Sequence, residues 1–266
     1  MKNGSTGSSQ AVRIVGVDCA TDAKNVGLAF ATWHGGSTTI IDVSRGGADN
    51  NALENRIFDW ITLTNEPVLL ALDAPLGWPL GMRDALEEHR AGEEIRILPN
   101  TMFRRETDRA IKRAYEKTSL DIGADRIART AHAALALLGR LRNRLDEPIL
   151  LAWTSAPMPP YSAIEVYPSA TLLGHGIDQP GYRKPAAIDA RQKLLGNIRS
   201  SRVQQLQIQC AEEKIVASPH LIDALLCALA ATDFLEGRAQ GPDAEQLATF
   251  ALVEGWIWAP KKTPCQ

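Results

Sequence analysis

The sequence has no long apolar run, no closely paired cysteines and no excess of charge of either sign. No apolar stretch is long enough to span a bilayer, so a membrane-spanning protein is not expected. Lys and Arg number 29 against 31 Asp and Glu, so any anion-binding surface must be local. The four cysteines form no C-x-x-C pair, and a chain of this length needs no disulfide staples, so we expect reduced thiols in a cytoplasmic protein.

The composition is typical of a globular chain with a sizeable core, since 45% of the 266 residues are hydrophobic and 23% are charged. The first ten residues are polar, rich in Ser and Gly, and without an apolar core, so a signal peptide is not expected. We predict a disordered tail over residues 1–11, a single domain over 12–260 with a helical insertion over about 76–160, and a second tail over 261–266.

Three strand-like runs open this domain, at residues 12–17, 26–33 and 38–43. Their links are short, which is typical of an antiparallel meander. Helical spacing over 51–63 then leads to an entirely apolar run at 67–72. A strand–helix–strand connection predicts a right-handed parallel crossover, and a fully apolar strand is expected inside the sheet.

Carboxylates follow two of these strands directly. Asp18 ends the first strand, and Asp73 ends the run at 67–72. If the two strands are parallel neighbours, both side chains lie at the sheet edge where α/β proteins collect ligands. A further short strand at 162–167 carries Glu165, and the last strong helix, predicted over 219–237, carries Asp223 on an apolar face.

Such a cluster of carboxylates predicts a divalent metal, because Mg²⁺ or Mn²⁺ takes oxygen ligands and offsets the repulsion among them. Each residue also has a simpler interpretation. Asp18 and Asp73 can belong to turns, Glu165 can pair with an arginine from the middle region, and Asp223 can interact with its helix dipole. His220 shares a helix side with Asp223, where it can orient a carboxylate, shuttle a proton, or simply bond to the helix start.

Two basic stretches are candidates for binding substrate phosphate. In the first, Arg105, Arg109 and Lys112 share a helix face, and the second contains Arg183 and Lys184. A solvated surface is the alternative for a charge run of this kind.

Several motifs, spread in order over most of the chain, match one family. They are Gly16-Val17-Asp18, Gly27-Leu28-Ala29, Leu72-Asp73-Ala74-Pro75-Leu76-Gly77-Trp78-Pro79, Arg105-Glu106-Thr107-Asp108, Glu165-Val166-Tyr167-Pro168, His220-Leu221-Ile222-Asp223-Ala224-Leu225 and Glu254-Gly255-Trp256-Ile257-Trp258. In these motifs the chain resembles the domain of unknown function four-twenty-nine family, whose members are described as predicted nucleases of ribonuclease H-like fold.

The resemblance implies a ribonuclease H-like α/β fold, with a mixed five-stranded sheet of a three-strand meander plus parallel strands, flanked by helices. It puts Asp18, Asp73 and Asp223 at acidic metal positions and Glu165 in a motif without a known role. The expected function is hydrolysis of nucleic-acid phosphodiesters with Mg²⁺ or Mn²⁺, in DNA or RNA. One departure is Cys19, which follows Asp18 where many nucleases of this fold have a small residue; with no adjacent His or Lys it is not expected to be a nucleophile.

Two other functions compete with the nuclease hypothesis. A phosphotransferase of the sugar-kinase and actin superfamily also has a first strand ending in Asp, but such kinases need two related domains. The turn at residues 19–22 also lacks the glycines that let phosphate approach the backbone. A catalytically inactive binding module that keeps the fold without the metal is the third possibility.

Overall fold

A curled mixed β-sheet flanked by helices forms the protein in a computed structural model that describes residues 10–123, 125–156, 158–201 and 206–262. Most of the two predicted tails, residues 1–9 and 263–266, lies outside the described residues. No helix within the described ranges combines the length and the apolar character needed to cross a bilayer.

The first three strands form the predicted antiparallel meander: β1 (Val12–Asp18), β2 (Gly27–His34) and β3 (Ser37–Arg45). The turn between β2 and β3 uses Gly35 and Gly36, both with positive φ, which is the backbone that a two-residue hairpin favours. Every residue of β1 is buried, so this strand lies at the centre of the sheet.

The predicted crossover follows through helix α1 (Asn50–Ile61) into strand β4 (Val68–Asp73). The Asp49 side chain caps α1 by accepting a hydrogen bond from the Ala52 amide at 2.9 Å. Strand β4 runs parallel to β1, with Asp18 in register with Asp73. The prediction that these strands are parallel neighbours is therefore confirmed.

The sheet has more strands than the five predicted. Strand β6 (Tyr161–Val166) is the predicted fifth strand, and β9 (Ile257–Pro260) lies beside it. The additional strands are β5 (Leu150–Leu151), β7 (Leu206–Ile208) and β8 (Ala239–Gln240). In the described residues the order is β7-β3-β2-β1-β4-β6-β9-β8, with β5 beside β6. Strands of two or three residues are too short to show an alternating pattern, which is why the sequence did not predict most of them.

Helices cover both faces of the sheet and fill the region between β4 and β5. They are α2 (Leu80–Leu86), α3 (Pro99–Phe103), α4 (Glu106–Tyr115), α5 (Asp125–Leu145), α6 (Pro168–Gly174), α7 (Ile188–Ser200), α8 (Glu212–Val216), α9 (Pro219–Leu235), α10 (Ala244–Gln246) and α11 (Leu252–Glu254), with a 3-10 turn at Ala23–Asn25 and a π-helical turn at Leu247–Ala251. Helices α2 to α5 thus occupy the segment 76–160.

Helix α9 packs on β1 and β2 through two glycines. A Cβ on Gly16 would lie 2.2 Å from the Ala224 carbonyl oxygen, and one on Gly27 would lie 2.0 Å from the His220 carbonyl oxygen. The absence of a side chain at both positions lets the helix backbone approach the strands. This contact places the first turns of α9 beside the carboxyl end of β1.

Candidate active site

Asp18 and Asp73 lie side by side where β1 and β4 leave the sheet. Asp18 is 8% exposed, and Asp73 is partly exposed. Both line a cavity of about 490 Å³. The register of the two strands therefore creates a recessed carboxylate pair at the edge where ligands of open α/β sheets bind.

Asp73 has no partner for its charge. Within the described residues its carboxylate accepts no hydrogen bond and forms no ion pair. Burial first, and then the nearby carboxylates of Asp18 and Asp223, raise the pKa of Asp73 well above its usual range, and Arg183 opposes this only in part. A carboxyl group in this position is stabilised either by protonation or, when it is ionised, by a nearby cation.

Asp18 interacts with His220 at the start of α9. Nδ1 of His220 lies 2.6 Å from Oδ2 of Asp18. Burial raises the pKa of Asp18, and the hydrogen bond with His220 acts in the opposite direction. When Asp18 is ionised and the imidazole is neutral, the carboxylate accepts from Nδ1–H and Nε2 is a proton acceptor on a partly exposed ring that lines the cavity.

Asp223 is held by two residues of the segment before α7. The Tyr182 hydroxyl donates to Oδ1 of Asp223 at 2.6 Å. The Arg183 guanidinium donates to both carboxylate oxygens, from Nε at 2.8 Å and from Nη2 at 3.2 Å. Asp223 therefore has a charge partner of its own, unlike Asp73.

Arg183 keeps part of its hydrogen-bonding capacity for a ligand. Its side chain is 45% exposed and lines the cavity. Two of its five N–H groups bond to Asp223, and Nη1 donates a third to the Ser169 hydroxyl at 3.2 Å. The other two N–H groups have no hydrogen-bond partner among the described residues, and a phosphate oxygen can accept from such groups.

Arg191, which was not among the residues predicted from the sequence, anchors the loop that carries Arg183. This fully buried side chain donates to the carbonyl oxygens of Tyr182 at 3.0 Å, Lys184 at 2.9 Å and Pro185 at 3.1 Å. Arg191 stands at the beginning of the buried stripe of α7. An arginine on an apolar helix stripe is the signal that points to this role.

Glu165 and Arg105 form a buried ion pair with two parallel hydrogen bonds of 2.7 Å each. Glu165 also accepts from the Leu76 amide at 3.0 Å. Arg105 uses its other N–H groups on both oxygens of Asp108 and on the Glu254 carbonyl. Burial opposes the charge on Arg105, but Glu165 and Asp108 outweigh it and raise the Arg105 pKa.

These contacts bear on two expectations from the sequence, a phosphate-binding Arg105 and a metal-binding Glu165. All five N–H groups of Arg105 are used inside the protein, so none remains for a substrate phosphate. Glu165 lines the cavity but pairs with an arginine of the middle region, the alternative to a metal-ligand role. The Arg105–Glu165 pair instead joins the helical region between β4 and β5 to the sheet.

Glu254, which the sequence presents only as the first residue of the last family motif, is a further anchor. This buried carboxylate accepts from the Leu80 amide at 2.8 Å and from the Glu106 amide at 2.6 Å. These are the first amides of α2 and α4, which have no partner within their own helices. Glu254 thus joins the amino ends of α2 and α4.

The remaining basic candidates lie outside the cavity. Arg109 donates from Nε to Glu106 at 2.9 Å and from Nη1 to the Arg104 carbonyl at 2.9 Å. Lys112 and Lys184 are exposed, and none of the three lines the cavity. The structure therefore brings Arg183 to Asp18, Asp73, Asp223, Glu165 and His220, and leaves Arg109, Lys112 and Lys184 apart from them.

The donor set fits a metal held by two carboxylates better than a four-carboxylate cage. Among the described residues, no three His, Cys, Asp or Glu side chains are grouped to hold a metal ion. Asp18 and Asp73 supply two hard oxygen donors, and Mg²⁺ commonly binds one or two carboxylates, with waters and substrate phosphate completing its shell. The unpaired Asp73 is the observation that favours a cation at this position.

The fold and the site define a mixed-sheet α/β protein with an acidic centre at the carboxyl ends of two parallel strands. The family described as protein of unknown function (DUF429) matches residues 16–246, and the chain belongs to this family. The matched stretch includes Asp18, Asp73, Glu165 and Asp223. No curated protein and no solved structure matches the chain.

Proposed function

We propose that this protein is a divalent-metal-dependent nuclease that hydrolyses phosphodiester bonds of nucleic acid at the Asp18–Asp73 pair. The observation that carries the proposal is the charge of Asp73, which has no partner in the described chain and lies beside a second carboxylate in a cavity. Mg²⁺ or Mn²⁺ would offset that repulsion, and both prefer oxygen ligands.

The sheet order supports a ribonuclease H-like fold for this nuclease. The central strands follow the order β3-β2-β1-β4-β6, with β2 antiparallel to its neighbours and β4 and β6 parallel to β1. This arrangement agrees with the meander and parallel strands that the family resemblance implies. It puts the two acidic strands at the centre of the sheet, where their ends form the base of the cavity.

Asp18 and Asp73 would hold the metal, which supplies positive charge to the phosphoryl oxygens and lowers the pKa of a bound water. Arg183 binds a non-bridging phosphate oxygen through its two remaining N–H groups. Nε2 of His220 accepts a proton from the attacking water as the new P–O bond forms. The bond from phosphorus to the leaving oxygen then breaks, and that oxygen takes a proton from solvent.

The partners of Arg183 and His220 fix their positions in this reaction. Asp223, with Tyr182, orients the guanidinium of Arg183, and the Asp18 carboxylate keeps the His220 proton on Nδ1. Neither Asp223 nor Tyr182 needs to contact the substrate. Asp223 is thus a positioning residue in this proposal rather than a metal ligand.

The test of the function is cleavage of labelled DNA and RNA oligonucleotides, single-stranded and duplex, in Mg²⁺, Mn²⁺ or EDTA. We expect cleavage only with a divalent metal, and we expect Asp73→Asn to lower it by about 100-fold or more, because the substitution removes the unpaired charge. Asp42→Asn is the matched control, since Asp42 is a half-exposed carboxylate that pairs with Lys214 on the surface. Equal cleavage in EDTA, or an active Asp73→Asn variant, would contradict the proposal.

A further inference from the structure

The shape of the cavity limits which substrates can reach the carboxylate pair. Asp18 is 8% exposed, so a scissile phosphate must enter the cavity rather than touch an open surface. The walls come from the α4–α5 connection with Leu120, from α5 with Ile127, from Tyr167 before α6, and from the loop with Pro185. Walls thus rise around the carboxylates from four separate segments.

The volume of the cavity is that of a site for one small molecule. About 490 Å³ lies in the lower half of the range of ~300–1,000 Å³ that is typical of sites for small molecules. A duplex carries its phosphates on two backbones separated by grooves about 12 Å and 6 Å wide. We therefore expect a single strand to bring its phosphate to the recessed carboxylates more readily than a duplex, because it carries no second strand against the cavity walls.

The wall residues offer apolar contact that suits a nucleobase. Leu120 lines the cavity and is still 69% exposed, so its side chain is available to a ligand at the mouth. Tyr167 provides a partly buried ring in the same cavity. Bases bind to such surfaces without strong sequence preference, because every base has an apolar π-face.

From the recessed pair, the small volume and the apolar wall, we propose that the site accepts one unpaired nucleotide and that the substrate is single-stranded nucleic acid. This inference rests on the proposed nuclease function and narrows its substrate class. The base contacts Leu120 and Tyr167, while the adjoining phosphate reaches Arg183 and the carboxylate pair. Duplex nucleic acid is expected to bind more weakly, because its second strand meets the walls of the cavity.

A binding measurement tests this inference without relying on turnover. The probe is a fluorescent oligothymidylate with phosphorothioate linkages that resist hydrolysis, used alone and hybridised to its complement, with an oligouridylate as the RNA counterpart. We expect anisotropy to show at least about tenfold tighter binding of the DNA or RNA single strand than of the duplex.

The Leu120→Ala variant tests whether the single strand binds in this cavity. We expect it to weaken single-strand binding roughly three- to tenfold, because it removes apolar contact at the mouth. Leu63→Ala is the matched control, since Leu63 is 63% exposed and does not line the cavity. Equal affinity for single strand and duplex, or unchanged binding by Leu120→Ala, would overturn the inference.

The two proposals fail in different ways. Metal-dependent cleavage of duplex and single strand at equal rates would overturn the substrate inference and leave the nuclease function standing. Preferential single-strand binding that depends on Leu120, combined with cleavage that does not need metal, would support the binding inference and contradict the proposed function.

Discussion

The four carboxylates that the sequence marked as candidates, all of which line the cavity, differ in the partners that surround them. Glu165 and Asp223 each have an arginine, Asp18 has His220, and Asp73 has no partner among the described residues. The sequence could place all four at the site, but it could not assign partners, because Arg105 and Arg183 are 60 and 40 residues away from the carboxylates they bind. Pairings over such distances follow from the completed fold.

The unpaired charge predicts that Asp73→Asn stabilises the metal-free protein. The folded-state pKa of Asp73 is raised, so the folded protein holds that proton more tightly than the unfolded chain does. The contribution of Asp73 protonation to the free energy of unfolding is fully present below the unfolded-state pKa of about 3.9. It is lost as the pH rises through the folded-state pKa of Asp73. We therefore expect a gain of roughly 1–2 kcal/mol at neutral pH and none near pH 4, measured by urea unfolding in EDTA.

The same unfolding series on Asp42→Asn provides the control, since Asp42 lies outside the cavity in a surface ion pair. That variant is expected to change stability by less than about 1 kcal/mol at either pH. If Asp73→Asn lost stability at neutral pH, Asp73 would have a favourable partner, and the argument for a cation would fail.

The role of Arg183 predicts that a lysine cannot replace it. Arg183→Lys removes the planar pair of donors on Asp223 and on the phosphate, so we expect kcat/KM for oligonucleotide cleavage to fall roughly 10- to 100-fold. Arg199→Lys is a matched control, because the Arg199 side chain is also 45% exposed and pairs with Glu212 on the surface. Equal effects of the two substitutions would show that Arg183 has no specific role.

At the scale of elements, the close contact between α9 and the meander determines the site geometry. Gly27 lies against the His220 backbone, so a methyl group there would push the first turn of α9 away from β2. We expect Gly27→Ala to destabilise the protein by about 1–3 kcal/mol and to lower activity further, because it separates His220 from Asp18. Urea unfolding and kcat measured under fully folded conditions separate the two effects.

Gly139 on α5, unlike Gly27, has space for a side chain. A Cβ there meets no atom within 4 Å, so Gly139→Ala is expected to stabilise the helix by up to about 1 kcal/mol and to leave activity unchanged. A Gly27→Ala variant that behaved like Gly139→Ala would show that α9 does not depend on this close approach.

The length of an element decided whether the sequence could predict it. The meander, β4 and β6 have strong patterns, and their observed bounds agree with the predicted runs within two residues at each end. The short strands β5, β7 and β8 have no such pattern. The basic face predicted on α4 contained Arg105, whose buried position depends on contacts with Glu165 and the Glu254 carbonyl from distant segments.

At the scale of the whole molecule, the region between β4 and β5 turns a sheet edge into a cavity. Arg105 and Glu254 join this region to the ends of β6 and to the segment before β9. The α4–α5 connection and α5 then form walls above the carboxylates. Buried ion pairs thus hold the walls, while Asp73 has no ion-pair partner among the described residues, which is why we propose it as a metal ligand.

The central claim is that Asp18 and Asp73 together bind a divalent metal. Anomalous scattering from a crystal soaked in Mn²⁺ locates such an ion directly. The account predicts a peak within roughly 2–2.5 Å of oxygen atoms from both carboxylates, next to His220 and Arg183, and no such peak in Asp73→Asn. A wild-type crystal that binds Mn²⁺ at other carboxylates and not at this pair would contradict it.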